Sequence, residues 1–128
     1  MNRIIKFRFW ENSSKTMIDW LCVRQTAFNR GDMRLMYDMM GTNPDIIKMQ
    51  FTGLLDKNGK EIYEGDLLSP FHESIGPYWV VFENGSYVCY HKHGRWGLLS
   101  RAFEADILKD YSPVVIGNIY ENPELLKP

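Results

Sequence analysis

The sequence predicts a mainly β protein: a small barrel-like antiparallel sheet of short strands, with an N-terminal β-hairpin and one or two short helices. Three observations lead there. Seven Phe, seven Tyr and four Trp make an aromatic excess, and such side chains suit a pleated surface and bury much area each. Apolar residues alternate at period 2 in the opening segment. Turn signals recur at close spacing, at Asp56 to Gly59, at Gly65, at Asn84-Gly85 and at His93-Gly94, so only short strands fit between them.

In chain order, Ile5, Phe7 and Phe9 alternate with Lys6, Arg8 and Trp10 before a polar loop from Glu11 to Lys15. Met17 to Val23 is read as the returning strand, giving a hairpin over 3–23. A variable segment, 24–46, follows, in which "GDMRLMYDMMG" reads as a short helix capped by Asp32 and ended by Gly41, with Met36 and Met40 on one side. The clustered Met33, Met36, Met39, Met40 and Met49 are read as core filling or a covering lid rather than an adaptable binding surface.

The β core, 47–120, opens with "IKMQFTGLL". "DKNGK" has the pattern of a type I turn closed by a left-handed glycine, with Asp56 bonding forward beside Asn58 and Gly59 taking positive φ. Gly65 permits a second bend that Asp66 can cap with its own carboxylate. "GPYWVVFENGSYVCYHKHGRWGLL" reads as three strands divided by two turns. "SRAFEADILKD" reads as a helix opened by Ser100, with a strand as the alternative, Val114 to Tyr120 as the last strand, and 121–128 as a tail begun by proline.

A chain of 128 residues predicts one domain over 1–128 with one modest core. Near-average hydrophobic and charged fractions, 45% and 24%, exclude disorder and fibrous classes. A net charge of -1 supplies no global field for nucleic acid or an anionic membrane, so any such role needs a local patch. Cys22 and Cys89 lie in apolar runs without CxxC spacing and are read as buried thiols in a reducing cytoplasm. No apolar run approaches the roughly 20 residues that cross a bilayer.

"FTGLLDKNGKEIYEGDLL", the terminal "VIGNIYENPELL" and the opening "KFRFWENSSKTM" together resemble the YopX family, small proteins encoded by phages and prophages of Gram-positive bacteria. The matching stretches cover about half the chain in the expected order. The resemblance implies a mainly β protein built around a small barrel-like sheet, and a phage or prophage origin. It supplies no catalytic residues and implies no activity. Leu55 stands where the pattern has a basic residue, and Arg24 to Ile46 matches nothing in it.

Four acidic residues, Asp56, Glu61, Glu64 and Asp66, crowd the two bends, and hard cations want several carboxylate oxygens in one shell. Their spacing is not that of an EF-hand, and Glu61 and Glu64 point to opposite faces of a strand. The set Asp56, Asn58, Gly59, Gly65 and Asp66 is therefore read as structural turn chemistry. "CYHKH" offers a His91-x-His93 pair about 6.6 Å apart along a strand, but Cys89 and His93 are about 13 Å apart and cannot share one ion. No metal, cofactor, phosphate loop or nucleophile elbow is expected. Basic and aromatic residues interleave in "KFRFW" and "YHKHGRW", so Trp10, Tyr90, Lys92, Arg95 and Trp96 are the candidate nucleic-acid surface.

The functional expectation is a non-enzymatic accessory protein in the cytoplasm of the bacterial host. It associates with a host or phage protein or with copies of itself, and has no membrane role. The alternative is a small β-barrel nucleic-acid-binding module.

Overall fold

Residues 4–29, 41, 43–70, 73–103 and 112–126 are described by the computed structural model of the chain. They form nine strands in two antiparallel sheets, one of them half-barrel-like, with very little helix. The mainly β reading is thus correct. The chain forms two compact units, Met1–Phe51 and Thr52–Pro128.

In the first unit, β1 (Phe7–Glu11) and β2 (Thr16–Ile18) make the N-terminal hairpin, with Glu11 opposite Thr16 and Phe9 opposite Ile18. Its polar loop is held from within, where Lys15 Nζ donates to Asn12 Oδ1 at 3.0 Å, and from outside, where Ser13 Oγ donates to Asp45 Oδ2 at 2.6 Å. The returning strand stops at Ile18, not at Val23. Asp19 Oδ1 accepts the Cys22 N–H at 2.8 Å and its carbonyl accepts the Val23 N–H at 3.1 Å, which starts α1 (Trp20–Asn29). An aspartate in that place satisfies an amide that the first helical turn leaves unpaired. Trp20 and Val23, three residues apart, then share a helix face and pack with Phe7, Phe9, Ile18 and Ile46. Cys22 lies off that face and is exposed, contrary to expectation, while Cys89 is buried.

The long strand β3 (Ile46–Leu55) runs antiparallel to β1, Phe9 facing Lys48, and continues into the second unit. There its end lies beside β4 (Glu61–Tyr63), and the Thr52 hydroxyl donates to the Ile62 carbonyl at 2.7 Å. The five-stranded sheet has the order β8-β7-β6-β5-β9, from β5 (Asp66–Leu68), β6 (Tyr78–Glu83), β7 (Ser86–His91), β8 (Gly94–Leu98) and β9 (Val115–Asn118). Its core holds Ile62, Leu68, Tyr78, Val80, Cys89 and Leu99. Burial of each large apolar side chain contributes about 1.5 to 3 kcal/mol.

The last strand is shorter than Val114 to Tyr120. Asn118 Oδ1 accepts the N–H groups of Tyr120 and Glu121 at 3.0 and 2.8 Å, which turns the chain out of the sheet. Ser100 lies within a short 3-10 helix, Leu99–Phe103, rather than opening an α-helix; the remainder of that predicted helix and the one over Asp32 to Met40 fall outside the described residues. Met49 is a core residue of β3. No described helix is long and apolar enough to cross a membrane.

Candidate functional site

The aspartate carboxylates of the acidic bends are engaged by main-chain amides. Asp56 is buried; its Oδ1 accepts the N–H groups of Asn58 and Lys60, both at 2.8 Å, and its Oδ2 accepts that of Val115 at 2.9 Å. Burial acts to raise its pKa, yet these three backbone donors, helped by the charge of Lys60, hold it below the ordinary aspartate value. Gly59 sits at φ 83° and its N–H donates to the Asp56 carbonyl at 3.0 Å, closing the turn as its sequence requires. At the second bend Gly65 sits at φ 84°, and the buried Asp66 Oδ2 accepts the Tyr63 N–H at 2.8 Å. Asp66 thus serves its own bend, and Asp56 serves its bend and the last strand. Among the described residues no group of three His, Cys, Asp or Glu could hold a metal ion.

The two histidines of "CYHKH" meet edge to face, with ring centroids 5.7 Å apart. His91 Nδ1 accepts the His93 N–H at 3.1 Å, so that nitrogen is engaged in the β7–β8 turn. Cys89 packs in the core, where burial pushes its thiol up to about 12.

The five basic and aromatic candidates do not share one environment. Trp10 is only 3% exposed and belongs to the first unit, so its ring is not offered for stacking. Trp96 packs against the second unit's core, its ring 5.5 Å from Tyr78. Lys92 is exposed in the turn after β7. Tyr90 and Arg95 are cross-strand neighbours, brought opposite each other by a register shift beside Cys89. Both turn to Glu83: the Tyr90 hydroxyl donates to Oε2 at 2.7 Å and Arg95 Nε donates to Oε1 at 3.1 Å. The Glu83 hydrogen bond raises the Tyr90 pKa by favouring the phenol. Trp79 stacks on Tyr90 with centroids 6.3 Å apart and 19° between planes.

Glu83 and Trp79 are the members of this cluster that sequence reasoning missed. It also missed a pocket of about 310 Å³ in the second unit, lined by the apolar Leu54, Tyr87, Leu98 and Leu99 and by three hydroxyl residues, Thr52, Ser86 and Ser100. Phe82 stands opposite Tyr87 across the β6–β7 hairpin, with ring centroids 5.0 Å apart, and is 48% exposed; Leu98 is 39% exposed. The Asn84-Gly85 turn was the usable signal, because a two-residue loop pairs Glu83 with Ser86 and hence Phe82 with Tyr87.

The crystal structure of protein EF1440 from Enterococcus faecalis is similar, with a TM-score of 0.61 and 26% sequence identity, covering 98% of this chain and 100% of that one. No curated protein matches this chain. The model of the family described as YopX protein matches residues 6–127. That match takes in both glycine bends, the terminal "VIGNIYENPELL" and the segment from Arg24 to Ile46 that the motifs left unassigned. The chain belongs to the YopX family.

Proposed function

We propose that this chain is a phage or prophage accessory protein that works in the bacterial cytoplasm without chemistry of its own, by associating with a partner protein of the host or the phage. The observation that carries the reading is the open, mainly apolar pocket of the second unit beside two exposed apolar side chains, Phe82 and Leu98. Apolar surface of this kind, offered together rather than scattered, favours a protein contact. Of the four acidic residues that would suggest catalysis, the two buried ones, Asp56 and Asp66, hold backbone amides instead. The nucleic-acid alternative is weakened by Glu83, whose carboxylate already engages Arg95 and Tyr90 where a phosphate and a base would have to compete.

The test is a pull-down from host lysate with the tagged full chain, with and without nuclease, set beside Phe82→Ser and Leu98→Ser. Both positions are partly exposed, so the variants should fold. The expected result is one partner protein retained by the parent in both lysates and lost by both variants. Retention that disappears with nuclease, or that neither substitution disturbs, overturns the reading. Light scattering distinguishes a second copy of the chain as the partner.

A further inference from the structure

The chain contains two Asn-Gly pairs, Asn58-Gly59 and Asn84-Gly85, and the fold treats them differently. We propose that Asn84 is a site of spontaneous deamidation in the folded protein and that Asn58 is protected from the same reaction by its turn. Asn-Gly is the pair most open to this chemistry, because glycine has no side chain to shield the following main-chain nitrogen. That nitrogen attacks the asparagine Cγ; the new N–Cγ bond forms, the Cγ–Nδ2 bond breaks, and ammonia leaves with the proton given up by the attacking amide. Water then opens the cyclic imide at either carbonyl, yielding aspartate or isoaspartate. No oxidant or enzyme is needed.

At Asn58 the attacking nitrogen is occupied. The Gly59 N–H donates to the Asp56 carbonyl at 3.0 Å, and the N–H groups on either side, of Asn58 and Lys60, both donate to Asp56 Oδ1 at 2.8 Å. For Gly59 N to reach the Asn58 side chain the turn must first give up its bond to the Asp56 carbonyl and disturb the two flanking bonds to the buried Asp56 carboxylate. Asn84 has no such clamp. It is exposed at the tip of the β6–β7 hairpin, in the left-handed region at φ 50° with Gly85 at φ 80°, and the Gly85 N–H donates to no acceptor among the described residues.

The product has a structural consequence. Isoaspartate adds a methylene to the main chain inside a two-residue loop, whose geometry sets the pairing of Glu83 with Ser86 and of Phe82 with Tyr87. The new carboxylate also lies next in sequence to Glu83, which holds Tyr90 and Arg95. The proposal itself does not depend on what the pocket binds.

The test uses the purified full chain, aged in mildly alkaline buffer in the folded state and, in parallel, in denaturant. Peptides spanning Asn58 and Asn84 are followed by mass spectrometry with chromatographic separation of aspartate from isoaspartate. In the folded chain Asn84 should convert about tenfold faster than Asn58, the factor that about 1.4 kcal/mol of retained hydrogen bonding imposes. In denaturant the two rates should converge, which assigns the difference to the fold rather than to the flanking residues. Asp56→Asn, if it loosens the turn without unfolding the chain, should speed Asn58 alone. Equal rates in the folded chain, a faster Asn58, or no product at Asn84 while the denatured chain reacts each overturn the proposal.

Discussion

Asp56 Oδ2 accepts the Val115 N–H at 2.9 Å, joining the β3–β4 turn to the last strand across 59 positions of sequence. The Lys57 N–H adds a second tie, to the Pro113 carbonyl at 3.2 Å. One carboxylate therefore shapes its own turn through Oδ1 and docks β9 through Oδ2. Asp56→Ala leaves three backbone donors without that acceptor, and one unsatisfied buried group alone costs about 1 to 3 kcal/mol. A loss of about 2 to 4 kcal/mol in denaturant unfolding is expected; a loss under about 1 kcal/mol shows that water replaces the carboxylate.

The same residue sets a pH dependence. Its folded-state pKa lies below the ordinary aspartate value because the three amides favour the charged form. Its contribution is therefore complete above the unfolded pKa of about 3.9 and is lost as pH falls through the lower, folded value. Melting temperatures of the parent and of Asp56→Asn should differ most near neutrality and approach each other below about pH 4. A gap that stays constant to about pH 2 removes ionisation of Asp56 as its cause.

At the bends, glycines should matter more than glutamates. Gly59 and Gly65 hold φ of 83° and 84°, a region that a β-branched residue enters only under strain. Gly59→Val or Gly65→Val should cost about 1 to 3 kcal/mol each. Glu61 and Glu64 are half-buried rather than exposed, so Glu61→Gln and Glu64→Gln, which keep shape and remove charge, should cost about 0.5 to 1 kcal/mol, less than either glycine change. Thermal melts of the four variants, paired with the pull-down, check this. Glutamine variants that melt normally but lose the partner show that the carboxylates have a role in binding.

Glu83 makes the nucleic-acid alternative quantitative. With Arg95 and Tyr90 both bonded to it, the parent should bind single-stranded oligonucleotides more weakly than about 1 μM at physiological salt. Glu83→Gln releases the guanidinium and should tighten binding and steepen its salt dependence. Sub-micromolar binding by the parent, with a steep salt slope, restores the alternative.

What was legible in the sequence is what local chemistry decides. Asp56, Gly59, Gly65 and the Asn84-Gly85 pair carry their turn geometry within a few residues, so the bends could be read before any tertiary contact was known. Trp20 to Val23 misled because Trp and Val favour strands as isolated residues, whereas the Asp19 cap and the pairing of Trp20 with Val23 select a helix. Alternation could not reveal the burial of Trp10. Phe9 and Trp10 point to opposite faces of β1 and each is 3% exposed, so parity separates the faces without saying whether either is open. The Glu83 cluster depends on a register shift in β7 and β8 that no spacing rule announces.

The terminal motif offers a test of how tightly the chain end is locked. Asn122 Oδ1 accepts the Asn118 N–H at 3.1 Å, while the Asn122 N–H donates to the Asn118 carbonyl at 2.9 Å. Gly117 leaves room for that exchange: a Cβ built there would stand 2.5 Å from Asn122 Oδ1 and 2.8 Å from its Cγ, closer than real contacts allow. Gly117→Ala must therefore push the Asn122 side chain off the Asn118 amide, and a cost of about 1 to 2 kcal/mol is expected from the lost hydrogen bond, added to the strain of a side chain at φ 158°. Asn122→Ala removes the same bond without adding that strain and should cost about as much as the bond alone. If the two substitutions share that contact, the double variant should lose clearly less than their sum, because the smaller side chain at position 122 clears the space that the added methyl group at position 117 needs, and its excess over Asn122→Ala alone reads the strain of a side chain at φ 158°. Denaturant unfolding of the four proteins in this cycle measures the coupling, and additive losses show that Gly117 is required for some reason other than Asn122.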